Sequence, residues 1–162
     1  MVEDCKPRIR RATASDAEAV AMVYLRARRH AVPQIPPVQG PDDNVRSWLV
    51  GAVLRGEEVW VAETEHTVVV AMMLLEGEWI EQLYVDPAWT GRGIGSSLLE
   101  VAKRSRPDGL QLWTFQSNHG AHRFYERHGF RAEERTDGSS NQEGAPDVRY
   151  VWTRSHEMDS AL

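Results

Sequence analysis

One stretch, from Glu81 to Leu99, constrains the fold of this chain more than any other, because it joins a strand, a turn, a glycine-rich loop and the start of a helix. The loop is the run Gly91-Arg92-Gly93-Ile94-Gly95. A helix that begins after such a loop directs free backbone N–H groups and the positive end of its dipole at one spot, and both attract a phosphate or pyrophosphate. The stretch therefore predicts an anion-binding site near the middle of the chain.

The composition narrows the class of protein. With 162 residues, 41% of them hydrophobic, we expect a single domain over 1–162, with its core over roughly 7–154 and a flexible tail at 155–162. A net charge of −5 argues against nucleic acid as the main partner. Cys5 is the lone cysteine, which excludes an internal disulfide framework. Without a signal-peptide pattern or an apolar run of ~20 residues, we expect a cytoplasmic protein with no membrane partner.

Hydrophobic periodicity predicts the order of elements. Ser15 and Glu18 have the spacing of a capping box for a first helix, which ends near His30, and a second helix follows between Asp43 and Gly56. A third helix starts after Gly93, and a fourth lies around 121–128. The predicted strands are 7–11, 59–62, 67–75, 79–85, 110–115, 130–136 and 148–154.

This order predicts the fold class. Three consecutive strands indicate antiparallel pairing, and the later strand–helix–strand unit indicates a parallel crossover. We therefore expect an α/β (α+β) fold, in which a mixed, largely antiparallel seven-stranded sheet carries about four helices on its two faces.

The glycine loop by itself has several interpretations. A dinucleotide fingerprint requires a third glycine where Ser96 stands, and a nucleotide-triphosphate loop requires a Lys-Ser/Thr pair that this loop lacks. On these residues alone, the loop could also be a tight strand-to-helix turn that binds no ligand.

Two segments together resemble the GNAT superfamily of N-acetyltransferases. The family's loop, Gln/Arg-x-x-Gly-x-Gly/Ala, maps onto Thr90 to Gly95 after Asp86-Pro87, with Thr90 in place of the usual Gln or Arg. Further on, the run Asn118-His119-Gly120-Ala121-His122-Arg123-Phe124-Tyr125-Glu126-Arg127-His128-Gly129-Phe130 is similar to the family's Asn-x-x-Ala-x-x-Phe-Tyr-x-x-x-Gly-Phe. The resemblance implies a GNAT-like sheet with a splayed central cleft.

The resemblance also implies acetyl-CoA as donor and a primary amine as acceptor. It places the pyrophosphate on the backbone amides of the loop, with Arg92 either adding a charge or pointing to solvent. It places the pantetheine arm along the fourth strand like an added strand. Asn118 either contacts the donor or only caps a helix. The implied donor-binding residues are Leu83, Tyr84, Val85, Gly91, Arg92, Gly93, Ile94, Gly95, Ser96, Asn118 and Tyr125.

Tyr125 and Glu81 are the candidate catalytic residues. The family uses a tyrosine at this motif position, and a phenol of pKa about 10 can protonate a leaving thiolate. The alternative for Tyr125 is a packed aromatic side chain. An alkylammonium must lose a proton before it attacks, and Glu81, expected on the strand face of Leu83 and Val85, is the candidate base. Glu76 and Glu78 are its rivals.

Several features stay open. His119, His122 and His128 are scattered around their helix, so we expect no metal site. The loop after the sixth strand could either recognise a charged amine or be a solvated loop. Its polar residues are Asn141, Gln142, Glu143, Asp147 and Arg149.

Two functions fit the sequence. The first is direct acetyl transfer to an amine in a ternary complex, since Cys5 lies outside both motifs and no other nucleophile suggests a covalent route. The second is a non-catalytic acyl-CoA-binding regulatory module. The acceptor could be a protein N-terminus, a lysine side chain, a polyamine or an aminoglycoside. Dimers are common in the family, so the resemblance also allows a homodimer.

Overall fold

The computed structural model describes residues 6–155, so Cys5 and the predicted tail from residue 156 lie outside the described residues. Within 6–155 the structure has seven strands, four α-helices and two short 3₁₀ turns. The elements are β1 (Arg8–Arg11), α1 (Ala17–Ala31), α2 (Asp42–Leu54), β2 (Glu58–Glu63), β3 (Val69–Glu76), β4 (Trp79–Val85), α3 (Ile94–Ser105), β5 (Leu110–Phe115), α4 (His119–Arg127), β6 (Arg131–Thr136) and β7 (Asp147–Trp152).

The strands form one mixed sheet, which confirms the predicted fold class. Their order is β1-β2-β3-β4-β5-β7-β6, so the last strand of the chain lies between β5 and β6. Every neighbouring pair is antiparallel except β4 and β5, which are parallel and are joined by the α3 crossover. The one parallel pairing therefore lies in the middle of the sheet.

Helices cover both faces of the sheet, and each face has its own core. On one face α1 and α2 pack Val20 and Leu49 against the sheet. On the other face α3 and α4 contribute Leu98 and Tyr125. Seven of the eight residues of β3 are buried, because this strand lies between the two cores. A strand that is covered on both faces reads as a continuous apolar run in the sequence.

The start of α1 differs from the prediction. The predicted capping box of Ser15 and Glu18 is wrong, because a 3₁₀ turn at Ala14–Asp16 precedes the helix and takes the cap. The backbone N–H of Thr13 donates to Asp16 Oδ2 at 2.7 Å, and the Thr13 hydroxyl donates to the same oxygen at 3.1 Å. Glu18 instead accepts from Arg46 Nε of α2 at 2.6 Å.

Candidate functional site

A gap opens between the parallel strands β4 and β5. The two strands pair at Trp79 opposite Gln111, and the Gln111 N–H donates to the Glu78 carbonyl at 2.9 Å. Among the described residues no further pairing joins β4 to β5 in the direction of Val85 and Phe115. Both strands therefore keep backbone groups that are free to bind an extended ligand. We call this opening, which has a volume of about 100 Å³, the strand gap.

The register of β4 decides which backbone groups face the strand gap. The Asp86 N–H donates to the Val70 carbonyl at 2.8 Å, and hydrogen-bonded pairs alternate along an antiparallel ladder. The backbone of Tyr84 therefore bonds to β3, whereas the backbone groups of Leu83 and Val85 point into the gap. The ladder position of Tyr84 commits its backbone to β3, so a contact of Tyr84 with the donor would need its side chain and stays a prediction.

The glycine loop lies at the end of β4 and leads into α3. Gly91 and Gly93 have φ values of +76° and +79°, a region that L side chains rarely adopt, and a Cβ at either position would meet no atom within 4 Å. The glycines are therefore required for the backbone conformation and leave open space above the loop. That space is a cavity of about 490 Å³, the glycine-loop cavity, whose wall also includes Leu83, Val85 and residues of α4.

The charged side chains around the loop differ in position. The Arg92 guanidinium lies 4.5 Å from the centre of the Trp89 ring and does not line the glycine-loop cavity. The Thr90 hydroxyl donates to the Pro87 carbonyl at 3.2 Å. Arg127 of α4 does line the cavity, although no sequence pattern marks it. Arg127 therefore offers a positive charge at this wall, whereas Arg92, which the sequence left open between a donor contact and solvent, does not line it.

Two polar residues predicted to bind the donor have structural partners. The Asn118 side chain accepts from the Ala121 N–H at 3.2 Å and caps α4, and Asn118 also lines the strand gap. The Ser96 hydroxyl lies 3.0 Å from His128 Nε2, and Ser96 lines the glycine-loop cavity. The cap at Asn118 is thus observed, and its contact with a donor stays a prediction.

Tyr125 lies where the glycine-loop cavity meets the strand gap, since it lines both. Its ring packs against Phe124 and Phe130, with centroids 5.0 and 5.3 Å away. Within residues 6–155 its hydroxyl has no hydrogen-bond partner. Burial raises the pKa of Tyr125 well above its usual value, so the hydroxyl keeps its proton near neutral pH. The packed aromatic ring is therefore observed, and the catalytic role of the hydroxyl stays a prediction.

A second large cavity lies on the other side of the strand gap. This open polar cavity, of about 600 Å³, is lined by residues of α1, α2, β4 to β7 and the loop before β7. Tyr24, Trp48 and Tyr84 supply aromatic walls, and Arg28 supplies a cation. The Tyr24 and Tyr84 rings meet edge to face at 5.0 Å. Burial raises the pKa of Tyr84 to about 12, so this phenol is also neutral near pH 7.

Glu81 borders both the strand gap and the polar cavity, but not on the predicted strand face. Gln82 is opposite Leu74 and Ile80 is opposite Leu75, so Glu81 is an extra residue in a β-bulge. The bulge reverses the alternation of side chains, which places Glu81 on the polar-cavity side, away from Leu83. The sequence-based placement of Glu81 with Leu83 and Val85 is wrong for this reason.

The carboxyl of Glu81 differs from its two rivals. Partial desolvation of this exposed residue, followed by the negative charge of Glu76, raises the pKa of Glu81 above its usual value. A carboxylate with a raised pKa is a stronger base. Neither Glu76 nor Glu78 lines the strand gap, the glycine-loop cavity or the polar cavity. The Glu78 side chain instead accepts from Gln111 Nε2 at 2.6 Å.

The loop between β6 and β7 forms part of the polar cavity. Asn141, Gln142, Glu143 and Asp147 line it, whereas Arg149 does not. Arg149 instead donates to Glu134 at 3.1 Å and to Gln111 at 3.1 Å. Four of the five polar residues named from the sequence therefore face the cavity.

The histidines have partners of their own. The His122 ring lies 3.0 Å from the Phe115 carbonyl, and His119 and His122 meet edge to face at 5.9 Å. In the part of the chain that the structure describes, no group of three or more His, Cys, Asp or Glu side chains is placed to hold a metal ion. Between residues 6 and 155 no helix has the length and apolarity needed to cross a membrane.

Comparison with known proteins agrees with this architecture. Residues 55–132 match the family model of the acetyltransferase (GNAT) domain. The chain is 30% identical over 137 residues to the putative phosphinothricin acetyltransferase YwnH of Bacillus subtilis, an alignment that covers 75% of this chain and 82% of that protein. The chain therefore belongs to the GNAT family of N-acetyltransferases.

The chain is also similar in sequence and in structure to the YjaB proteins of two bacterial species. The chain is 37% identical over 89 residues to the peptidyl-lysine N-acetyltransferase YjaB of Salmonella typhimurium, which covers 55% of this chain and 61% of that protein. The chain thus matches less than two thirds of the length of this relative. The solution structure of apo YjaB from Escherichia coli superposes with a TM-score of 0.69 at 26% identity, covering 94% of this chain and 98% of that chain.

Proposed function

We propose that this protein is an acetyl-CoA-dependent N-acetyltransferase that moves an acetyl group to a primary amine by direct attack in a ternary complex. One observation carries the proposal. The glycine-loop cavity and the polar cavity lie on either side of one strand gap, with Tyr125 shared by the first cavity and the gap and Glu81 shared by the gap and the second cavity. A donor and an acceptor that enter from the two cavities would meet between these residues.

The residues around the glycine-loop cavity fit acetyl-CoA. The loop amides and the start of α3 would hold the pyrophosphate, and open space above Gly91 and Gly93 admits it. Arg127 would add a charge. The free backbone groups of Leu83 and Val85 would bond to the amides of the pantetheine arm.

Acetyl-CoA would supply a thioester, whose carbonyl carbon the amine attacks. The C–N bond forms as the C–S bond breaks, the amine gives up a proton, and the sulfur gains one. Glu81, which borders the gap, would accept the amine proton, directly or through a water molecule. Tyr125, which keeps its proton and borders the gap, would donate a proton to the sulfur. The raised pKa values would favour a protonated Tyr125 and a more basic carboxylate at Glu81.

The proposed acceptor is a primary amine. The lysine side chain, which the name of the Salmonella relative specifies, is one amine of this class. The polar cavity offers aromatic walls for a methylene chain and carboxylates for an ammonium group.

The test is to measure acetyl-CoA binding by calorimetry and the release of free thiol against a panel of primary amines. We expect binding, together with turnover that depends on the amine. Binding without turnover across peptides, polyamines, amino acids and aminoglycosides would favour the regulatory module. Absence of binding would remove the donor assignment altogether.

A further inference from the structure

We infer that Arg28 is an anion-recognition residue in the polar cavity, so that the acceptor is an amine that also carries a carboxylate or a related oxyanion. The inference rests on the proposed function and names the class of its acceptor. It comes from the contacts of Arg28 and from the contacts of the carboxylates that share the cavity.

Arg28 is a buried arginine that lines the polar cavity, and only 5% of its side chain is exposed. Its Nη1 donates to the Tyr24 hydroxyl at 3.1 Å and its Nη2 donates to the Pro36 carbonyl at 3.0 Å. Its Nε is buried and has no hydrogen-bond partner, unlike every other fully buried side-chain N or O atom of the described residues. The hydrogen bonds of the guanidinium therefore go to neutral groups, and Nε is left without a partner.

A buried cation is normally paired with a carboxylate in direct hydrogen-bond contact. Arg10 shows this pattern in the same molecule, since it contacts Asp16 at 2.7 Å although 22% of its side chain is exposed. Arg28 is far more buried, yet the carboxylate facing it, that of Glu143, is 3.9 Å from Nη2. That separation exceeds a hydrogen bond. The oxyanion of an acceptor could therefore bind Arg28 directly where Glu143 does not.

Other carboxylates of the polar cavity already have partners. Glu134 accepts from Arg149 Nε at 3.1 Å, and Asp147 accepts from Asn141 Nδ2 at 3.1 Å. Glu81 is placed to receive the amine. Arg28, which no carboxylate contacts at hydrogen-bond distance, and the carboxylate of Glu81 therefore suit the two ends of one zwitterionic acceptor.

The two ends of such an acceptor must lie apart. Arg28 interacts with the Tyr84 hydroxyl, and Tyr84 follows Glu81 by three residues on β4. Three residues of a strand span about 10 Å. An acceptor that reaches both residues would carry its oxyanion several bonds away from its amine.

Matched pairs of small amines test the inference. Each ω-amino acid with three to six carbons is compared with its own primary amide, which keeps the length and the amine and removes only the negative charge. We expect the wild-type protein to favour the acid at one or more lengths, by at least about tenfold in kcat/KM. Equal values for acid and amide at every length would overturn the inference.

The Arg28→Gln variant locates the effect. We expect it to lower kcat/KM for the preferred acid about ten- to hundredfold and to leave the amide nearly unchanged. Arg29→Gln is the matched control, because Arg29 is the next residue of α1 and its exposed side chain pairs with Asp42. It should keep the preference for the acid. An equal loss for acid and amide in Arg28→Gln would mean that Arg28 only supports the fold.

Calorimetry separates this inference from the proposed function. Without turnover of any amine the proposed function fails, and the affinities of the acids and amides for the wild-type protein still decide the inference, even if Arg28→Gln does not fold. In Glu143→Gln we expect the acid to bind more tightly, since the oxyanion no longer competes with Glu143. If Arg28 serves only to hold Glu143, Glu143→Gln will affect acid and amide alike.

Discussion

Tyr125 and Glu81 border the same strand gap, but they belong to different cavities. Tyr125 comes from α4 and also lines the glycine-loop cavity, whereas Glu81 comes from a bulge in β4 and also lines the polar cavity. Burial raises the pKa of Tyr125, and partial desolvation with the charge of Glu76 raises that of Glu81, which favours a protonated phenol and a more basic carboxylate. In the proposed mechanism the two groups would act as acid and base on the two sides of one opening.

Replacing Tyr125 by Phe should separate chemistry from binding. We expect the turnover number to fall about 100-fold or more, because a proton donor in the transition state contributes about 10²–10⁴-fold. The affinity for acetyl-CoA should stay within about twofold, since the ring remains. Thiol release and calorimetry measure the two quantities. Tyr150→Phe is the control, because the Tyr150 hydroxyl bonds to Glu126 at 3.1 Å and lines neither cavity. Unchanged turnover in Tyr125→Phe would refute the assignment of the acid.

Glu81 should determine the acid limb of the pH profile. With a raised pKa, kcat/KM for one fixed amine should rise with pH through a value above the usual glutamate pKa of about 4.3. Glu81→Gln should abolish that limb and lower kcat/KM. Glu76→Gln should move the limb to lower pH, because it removes a negative charge that raises the pKa of Glu81. Glu78→Gln should leave the limb in place, and a limb that persists in Glu81→Gln would point to another base.

The conformation of Gly93 should matter for binding as well as for stability. Gly93→Ala forces a side chain into a φ of +79°, at a cost of about 1 kcal/mol in the free energy of unfolding. Gly77→Ala imposes a similar strain in the β3–β4 turn, at a φ of +55°. We expect similar losses of thermal stability in the two variants and weaker acetyl-CoA binding in Gly93→Ala alone. Equal binding by both would show that the loop conformation is not needed for the donor.

Arg127 and Arg92 should differ in their effect on donor affinity. Arg127→Gln removes a cation from the wall of the glycine-loop cavity, and we expect the Kd of acetyl-CoA to rise a few-fold, with a weaker dependence on salt. Arg92→Gln removes a cation that lies over Trp89, outside that wall. Its effect on the Kd should be smaller. The opposite order would mean that Arg92 turns inward when the donor binds.

The ion pair at the start of α1 should make stability depend on pH. A hydrogen bond from Arg10 is the main cause that lowers the pKa of Asp16 to about 2. This ion pair contributes about 2 kcal/mol to the free energy of unfolding. The contribution is complete above the unfolded-state pKa of Asp16, about 3.9, and is lost as the pH falls towards 2. Urea unfolding should therefore show Asp16→Asn to be less stable by this amount at pH 7, with a smaller difference near pH 2. Asp108→Asn, in an exposed turn, should change little at either pH.

Local sequence patterns predicted most of the elements. The bounds of β4 and β5 agree with the prediction, because short apolar runs between glycines and polar turns define a strand locally. The mixed sheet and the helices on both faces followed from the order of those elements. The capping box of α1 failed, because two overlapping pairs, Thr13 with Asp16 and Ser15 with Glu18, have the same spacing and only packing against Arg10 distinguishes them.

The polar cavity could not be predicted in the same way. Tyr24, Arg28, Trp48 and Trp113 come from three separate elements, and no local pattern connects them. The bulge at Glu81 depends on the pairing of β4 with β3, which reverses the strand face expected from simple alternation. Arg127 appears at the wall of the glycine-loop cavity for a similar reason, since the packing of α4 against the sheet directs it there.

The sequence by itself determined the family, the glycine loop and the choice of Tyr125 as the candidate acid, because these depend on residues that are close together in the chain. Only the tertiary structure decided that β4 and β5 separate, that Glu81 faces the polar cavity and that Arg28 is buried there with its Nε left without a partner. Those features arise from strand register and from the packing of distant elements, which the order of residues specifies only through the whole fold.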